Sequence, residues 1–122
     1  MKIGAVLHVS YLVADLPRAC HFYADVLGLR PDDSRPELGF PGAWFHLGEQ
    51  QLHLLRLDNP DPVTGRPTHG GWDRHVALAV DSLDELVVRL DAAGIVYTTS
   101  RSGRRALFCR DPDGNTLEFI EE

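Results

Sequence analysis

The feature that most restricts this chain is that it repeats itself. HVSYLVADL, beginning at His8, lies over HVALAVDSL, beginning at His75, with His, Val and the later Val and Leu coinciding at one offset (75 − 8 = 67). LHLL, Leu52 to Leu55, matches LEFI, Leu117 to Ile120, in apolar pattern (118 − 53 = 65). Each opening block is followed by a helix-like stretch that ends in glycine, Gly28 and Gly94 (94 − 28 = 66). Small deletions account for the drift in offset. A short repeated unit buries its apolar face with its own helix or against its copy, so the fold must be built from two like modules. These are residues 1–58 and 72–122, joined by a linker, 59–71, that is rich in Pro and Gly and has no periodicity.

Each module reads as βαβββ. Residues 3 to 13 are rich in Val, Leu and Tyr, as a strand requires. From Leu16 apolar residues recur at Cys20, Tyr23 and Leu27, one helical face, with Asp15 as N-cap and Gly28 just past the C-terminus. In the second module Val76 to Val80 is strand-like, and Ser82 with Glu85 forms a capping box. Leu83, Leu86, Val87 and Leu90 make that helix's buried face. Three strands follow, Ile95 to Thr99, Arg105 to Cys109 and Thr116 to Ile120, the last two joined by the turn Asp111-Pro112-Asp113-Gly114. In the first module Trp44 to Leu47 and Gln51 to Leu57 flank Gly48-Glu49-Gln50, and the strand after Gly28 is weaker. The expected class is α+β, with mixed sheets in two modules of one domain.

Strand alternation sorts the chemistry-bearing residues. His8 shares a face with Val6 and Ser10, while Val9 and Tyr11 take the other. His75 lies with Ala77 and Ala79, His53 lies opposite Leu52 and Leu54, and Glu118 lies opposite Leu117 and Phe119. All four therefore project away from the helix side, at two equivalent positions of each repeat. Imidazole and carboxylate are the usual ligands of first-row divalent ions, so His8, His53, His75 and Glu118 form a candidate metal set. Sheets curling toward each other would bring them together in a cleft. The donor types suit zinc, nickel, manganese, cobalt or iron alike.

The rest of the composition narrows the partners. A formal net charge of −6 speaks against nucleic acid, whose readers carry a basic face. No run approaches a membrane span. Cys20 and Cys109 lie in a helix and a strand, and the N-terminus lacks a signal-peptide pattern, so a reduced cytoplasmic protein is expected. Trp44, His46 and Phe108 are candidates to line the cleft beside the metal, Ser10 to hydrogen-bond a ligand, and Arg105, in the basic run RSGRR, to meet a substrate anion. The competing reading of that run is a solvated turn. His21 and His69 read as exposed, and Arg110 as structural.

LHVSYLVADL with FYADVLGL, QLHLL, RHVALAV and FCRDPDGNTLEF together resemble the vicinal oxygen chelate superfamily, which includes glyoxalase I, fosfomycin resistance proteins, methylmalonyl-CoA epimerase, extradiol dioxygenases and bleomycin resistance proteins. The resemblance spans nearly the whole chain. It implies paired βαβββ modules around one divalent metal, held by residues that match His8, His53, His75 and Glu118. It also implies a homodimer in which His8 and His53 meet His75 and Glu118 of the second copy. The activity implied is lyase or isomerase chemistry on a small oxygenated substrate, with an enediolate or alkoxide stabilised by chelation and with Glu118 and His53 as proton-transfer groups. A fosfomycin-type thiol transferase, a single-domain iron dioxygenase and a drug- or metabolite-binding protein without turnover are the alternatives. The chain departs from its relatives in three places. His53 stands where glyoxalase I has a carboxylate or glutamine, and Thr98 and Phe108 stand where the fosfomycin enzymes place lysine and tyrosine.

Overall fold

In a computed structural model covering residues 1–122, the chain divides into two units, Met1–Pro60 and Asp61–Glu122. Each carries a four-stranded mixed sheet. In the first unit, β1 (His8–Leu12), β2 (Pro31–Asp32), β3 (Gly42–Leu47) and β4 (Gln50–Leu55) lie in the order β1-β4-β3-β2. In the second, β5 (His75–Val80), β6 (Tyr97–Thr99), β7 (Ala106–Arg110) and β8 (Thr116–Glu121) lie in the order β5-β8-β7-β6. The first strand of each unit runs parallel to the last, and the other pairings are antiparallel. The two-module α+β fold is therefore as the repeat requires.

A parallel pair needs a crossover, and a helix supplies it in each unit. Helix α2 (Leu83–Ala92) begins at Ser82, whose hydroxyl accepts from the Glu85 amide at 3.1 Å, and it buries Leu83, Leu86 and Leu90. Helix α1 (Leu16–Cys20) begins at Asp15, whose carboxylate accepts from the Arg18 amide at 3.0 Å. It continues as a π-helical stretch, His21–Val26, with the Leu27 amide donating back to the Phe22 carbonyl at 3.0 Å. Ala19, Phe22, Tyr23 and Val26 are buried, at regular helical spacing, whereas of the expected Leu16, Cys20, Tyr23 and Leu27 only Tyr23 is. Tyr23 meets Phe22 edge-on and lies 6.1 Å from the Phe45 ring, so the Phe45, Leu52, Leu54 side of the sheet is the helix side.

Strand β1 is shorter than expected. It starts at His8 rather than residue 3, and Ile3, Val6 and Leu7 are exposed. The linker is not bare surface coil either, since His69 is only 6% exposed and opens a short 3-10 turn, Gly70–Trp72. No helix is long and apolar enough to cross a membrane.

Phe45, 2% exposed, is central to the first unit's packing. We expect Phe45→Ala to lower stability by about 3–5 kcal/mol, read by chemical denaturation, through lost transfer energy plus a cavity.

Candidate metal centre

The strand registers give the two units one geometry. In the first, Ser10 stands opposite His53, so His8 is the diagonal neighbour of His53. In the second, Ala77 stands opposite Glu118, so His75 is the diagonal neighbour of Glu118. The rings of His8 and His53 stack at 4.1 Å with 16° between planes. His75 Nε2 lies 3.2 Å from Glu118 Oε2. The candidates are thus gathered two by two, and no cluster of three or more potential ligands is formed.

In the first unit His53 is sandwiched, with Trp44 stacked on its other side at 4.1 Å and 4°. A hydrogen-bond chain fixes its tautomer. Asp32 accepts only, so the Gln51 amide group turns its nitrogen to Asp32 Oδ2, at 2.7 Å, and its oxygen to His53 Nε2, at 2.9 Å. An oxygen there requires a proton on Nε2, which leaves Nδ1 of a neutral His53 with its lone pair. Burial, and then the neighbouring His8, push the His53 pKa below its ordinary value, which favours the neutral ring. Asp32 is held down to about 2, first by the Ser34 hydroxyl and amide and then by Gln51 and His46. His46 Nε2 lies 3.8 Å from Asp32, which places this residue beside the chain of hydrogen bonds. Ser10 is exposed at its register position opposite His53.

In the second unit Glu118 is 5% exposed and His75 meets the Phe108 ring edge-on at 5.1 Å. His75 Nδ1 lies 2.8 Å from the Asp73 carbonyl oxygen, an acceptor, so Nδ1 carries the proton. Neutral His75 then turns a lone pair on Nε2 toward a carboxylate oxygen. Two electron-rich atoms at that distance call for a positive charge between them, a proton or a metal ion. Phe108 also meets His69 at 5.1 Å. His69 Nδ1 bonds Thr98 Oγ1 at 2.7 Å, and its ring sits edge-on to Trp72. His69 is therefore a packed residue of this face, not an exposed one.

Arg105, its side chain 62% exposed, pairs with acidic neighbours at the surface. Its Nε donates to Glu121 Oε1 at 2.7 Å, and Nη2 reaches Asp84 at 3.5 Å. Arg101 lies over the Trp72 ring at 5.0 Å. Sequence reasoning missed Gln51, Asp32 and His69. Gln51 was within reach, since it lies two residues before His53 and so shares its face. Asp32 sits on a strand of two residues, too short to show alternation, and nothing periodic marks His69.

The loop beyond His69 approaches so closely that a Cβ on Gly70 would stand 2.6 Å from Thr116 Cγ2 and 2.9 Å from Phe108 Cβ. Gly70→Ala should cost about 1–3 kcal/mol in denaturation experiments, since these atoms lie near their own backbones and yield little. Asp32 gives a pH test. Its folded pKa lies below the unfolded value, so its contribution is complete above about pH 4. That contribution is lost as the pH falls through the folded value of about 2. Asp32→Asn should therefore lower the melting temperature at pH 6, and the difference from wild type should close as the pH approaches the folded value.

Residues 5–119 match the family described as the Glyoxalase/Bleomycin resistance protein/Dioxygenase superfamily. The chain is 34% identical over 132 residues to the mitochondrial methylmalonyl-CoA epimerase of Mus musculus, covering 99% of this chain and 74% of that protein. It is 29% identical over 124 residues to Glyoxylase I 4 of Arabidopsis thaliana, covering 98% and 71%. The crystal structure of lactoylglutathione lyase from Agrobacterium tumefaciens matches with a TM-score of 0.68 at 26% identity, covering 98% of this chain and 95% of that one.

Proposed function

The chain belongs to the Glyoxalase/Bleomycin resistance protein/Dioxygenase superfamily, and from this we propose that it is a divalent-metal-dependent lyase or isomerase acting on a small oxygenated substrate. The observation that carries the reading is the repeated pairing, His8 with His53 and His75 with Glu118, on the first and last strands of the two units. Three imidazoles and a carboxylate fit a first-row divalent ion, and the Nε2 lone pair of neutral His75 beside Glu118 needs a cation or a proton. His8, His53, His75 and Glu118 would hold the ion, within one chain or, in a homodimer, with each pair from a different copy. When bound, such an ion supplies Lewis-acid polarisation of substrate oxygens.

The remaining work falls to the chain's own groups. Epimerisation, which the name of one relative describes, requires a proton to leave and return at one carbon. Glu118 has carboxylate oxygens to accept it. His53 is either the fourth ligand or, unbound, the second proton-transfer group, in both cases through Nδ1, since Nε2 faces the Gln51 oxygen. Trp44 and Phe108 would flank the substrate with flat apolar surface, and Ser10 and His46 would offer hydrogen bonds from the first unit. The two modules would work as a single domain in the cytoplasm.

Metal analysis of the purified protein tests this directly. About one divalent ion per chain is expected, lost in Glu118→Ala and weakened in His53→Ala. Lactoylglutathione and methylmalonyl-CoA in deuterated buffer should exchange or turn over at least about 10²-fold more slowly with Glu118→Ala than with wild type, if either is close to the substrate. A folded protein that takes up no ion after reconstitution overturns the reading.

A further inference from the structure

A half-buried ion cluster lies at the start of β5. Asp73, its side chain 8% exposed, is gripped from both sides. Arg66 donates through Nε and Nη2 to Asp73 Oδ2 and Oδ1 at 2.7 and 2.6 Å. Arg110 donates through Nη1 to Asp73 Oδ2 at 2.7 Å. The same Arg110 nitrogen reaches the Gly114 carbonyl and Thr116 Oγ1, and Nη2 reaches the Pro67 carbonyl at 2.6 Å. Arg66 Nη1 donates to the Pro62 carbonyl at 3.0 Å. Two guanidinium groups thus tie one carboxylate to the linker on one side and to the β7–β8 turn on the other.

A clamp of this density holds more than its own side chains, because it fixes the Asp73 main chain. The Asp73 carbonyl is the group that accepts from His75 Nδ1 at 2.8 Å. Which ring nitrogen of a neutral histidine carries the proton is decided by the hydrogen bond its other nitrogen makes. Fixing the Asp73 carbonyl therefore turns the Nε2 lone pair toward Glu118, 3.2 Å away. In the first unit the histidine whose tautomer a neighbour sets is His53, through the Gln51 side chain.

We propose that Arg66 and Arg110 are positioning residues for His75, holding the Asp73 carbonyl so that the ring keeps its proton on Nδ1 and presents Nε2 to a divalent cation. The proposal rests on the metal reading above for its last clause, and on geometry alone for the tautomer. A guanidinium is needed at each place because each arginine bridges the carboxylate to a separate backbone carbonyl.

The test is nitrogen NMR of the His75 ring in metal-free protein at the alkaline end of the imidazole titration, with zinc chloride binding by calorimetry beside it. Arg66→Met and Arg110→Met are compared with wild type, and each variant leaves Asp73 one arginine partner. Wild type should show Nδ1 fully protonated, because the Asp73 carbonyl accepts from it. Each variant should show Nδ1 partly unprotonated, with the proton on Nε2 toward Glu118, and bind zinc about 10-fold to 100-fold more weakly, the range typical when a partner of a ligating histidine is lost. Arg66→Lys, which keeps the charge and loses the fork, should fall between, and it serves if either methionine variant does not fold. Folded variants that keep pure Nδ1–H overturn the proposal and leave the cluster as a staple for the linker. If wild type binds no zinc, the metal reading fails while the tautomer comparison still decides the positioning role.

Discussion

Everything chemical in this protein depends on one pairing, the parallel contact between the first and last strands of each module. Parallel neighbours cannot be joined by a tight turn, so the intervening chain must cross over as a helix and return as antiparallel strands. The register of that contact sets Ser10 against His53 and Ala77 against Glu118. A shift of one residue would send one member of each pair to the helix side. The apolar alternation of Leu52 and Leu54, each about 1% exposed, and of Leu117 and Phe119 holds the register. The energy that places the candidate ligands is therefore hydrophobic burial on the opposite face, not anything at the ligands themselves.

Within that common frame the two modules have diverged in how they support a histidine. The first surrounds His53 with flat rings and an amide relay from Asp32, a soft environment that desolvates the imidazole and favours its neutral form. The second uses charge. Asp73, held well below the usual carboxylate range chiefly by Arg66 and also by Arg110, anchors the linker and the main chain beside His75. Burying such a cluster is costly unless every charge is paired, and here each arginine nitrogen named has an oxygen partner. One module relies on stacking and the other on a clamp, and the difference follows from the linker, which from Asp61 onward belongs to the second unit.

Much of this was legible in the chain, for reasons that differ by residue. The helix after Ser82 was readable because cap, acidic first turn and apolar spacing agree. The facing of His8, His53, His75 and Glu118 was readable because strand period is two and their neighbours are strongly apolar. In the first helix two apolar stripes offer helical spacing, and the fold buries Ala19, Phe22, Tyr23 and Val26 where Leu16, Cys20, Tyr23 and Leu27 were expected, so that only Tyr23 is common to both. Arg105, read as an anion contact or part of a solvated turn, pairs at the surface with Glu121 and Asp84. His69 looked exposed because Pro and Gly around it imply surface coil, whereas Thr98, Phe108 and Trp72 enclose it.

By itself the sequence determined the repeat, the two-module class, and which face of each strand carries the imidazoles and the carboxylate, because these follow from local period and composition. The tertiary structure alone decided how each histidine is held. Asp73 lies 37 residues from Arg110, and Thr98 lies 29 from His69. Contacts over such separations depend on where strands close in space, and no window of sequence contains both partners. The proton on His75 Nδ1 is settled at that level too, by a backbone carbonyl whose position belongs to the folded chain and not to the identity of any residue.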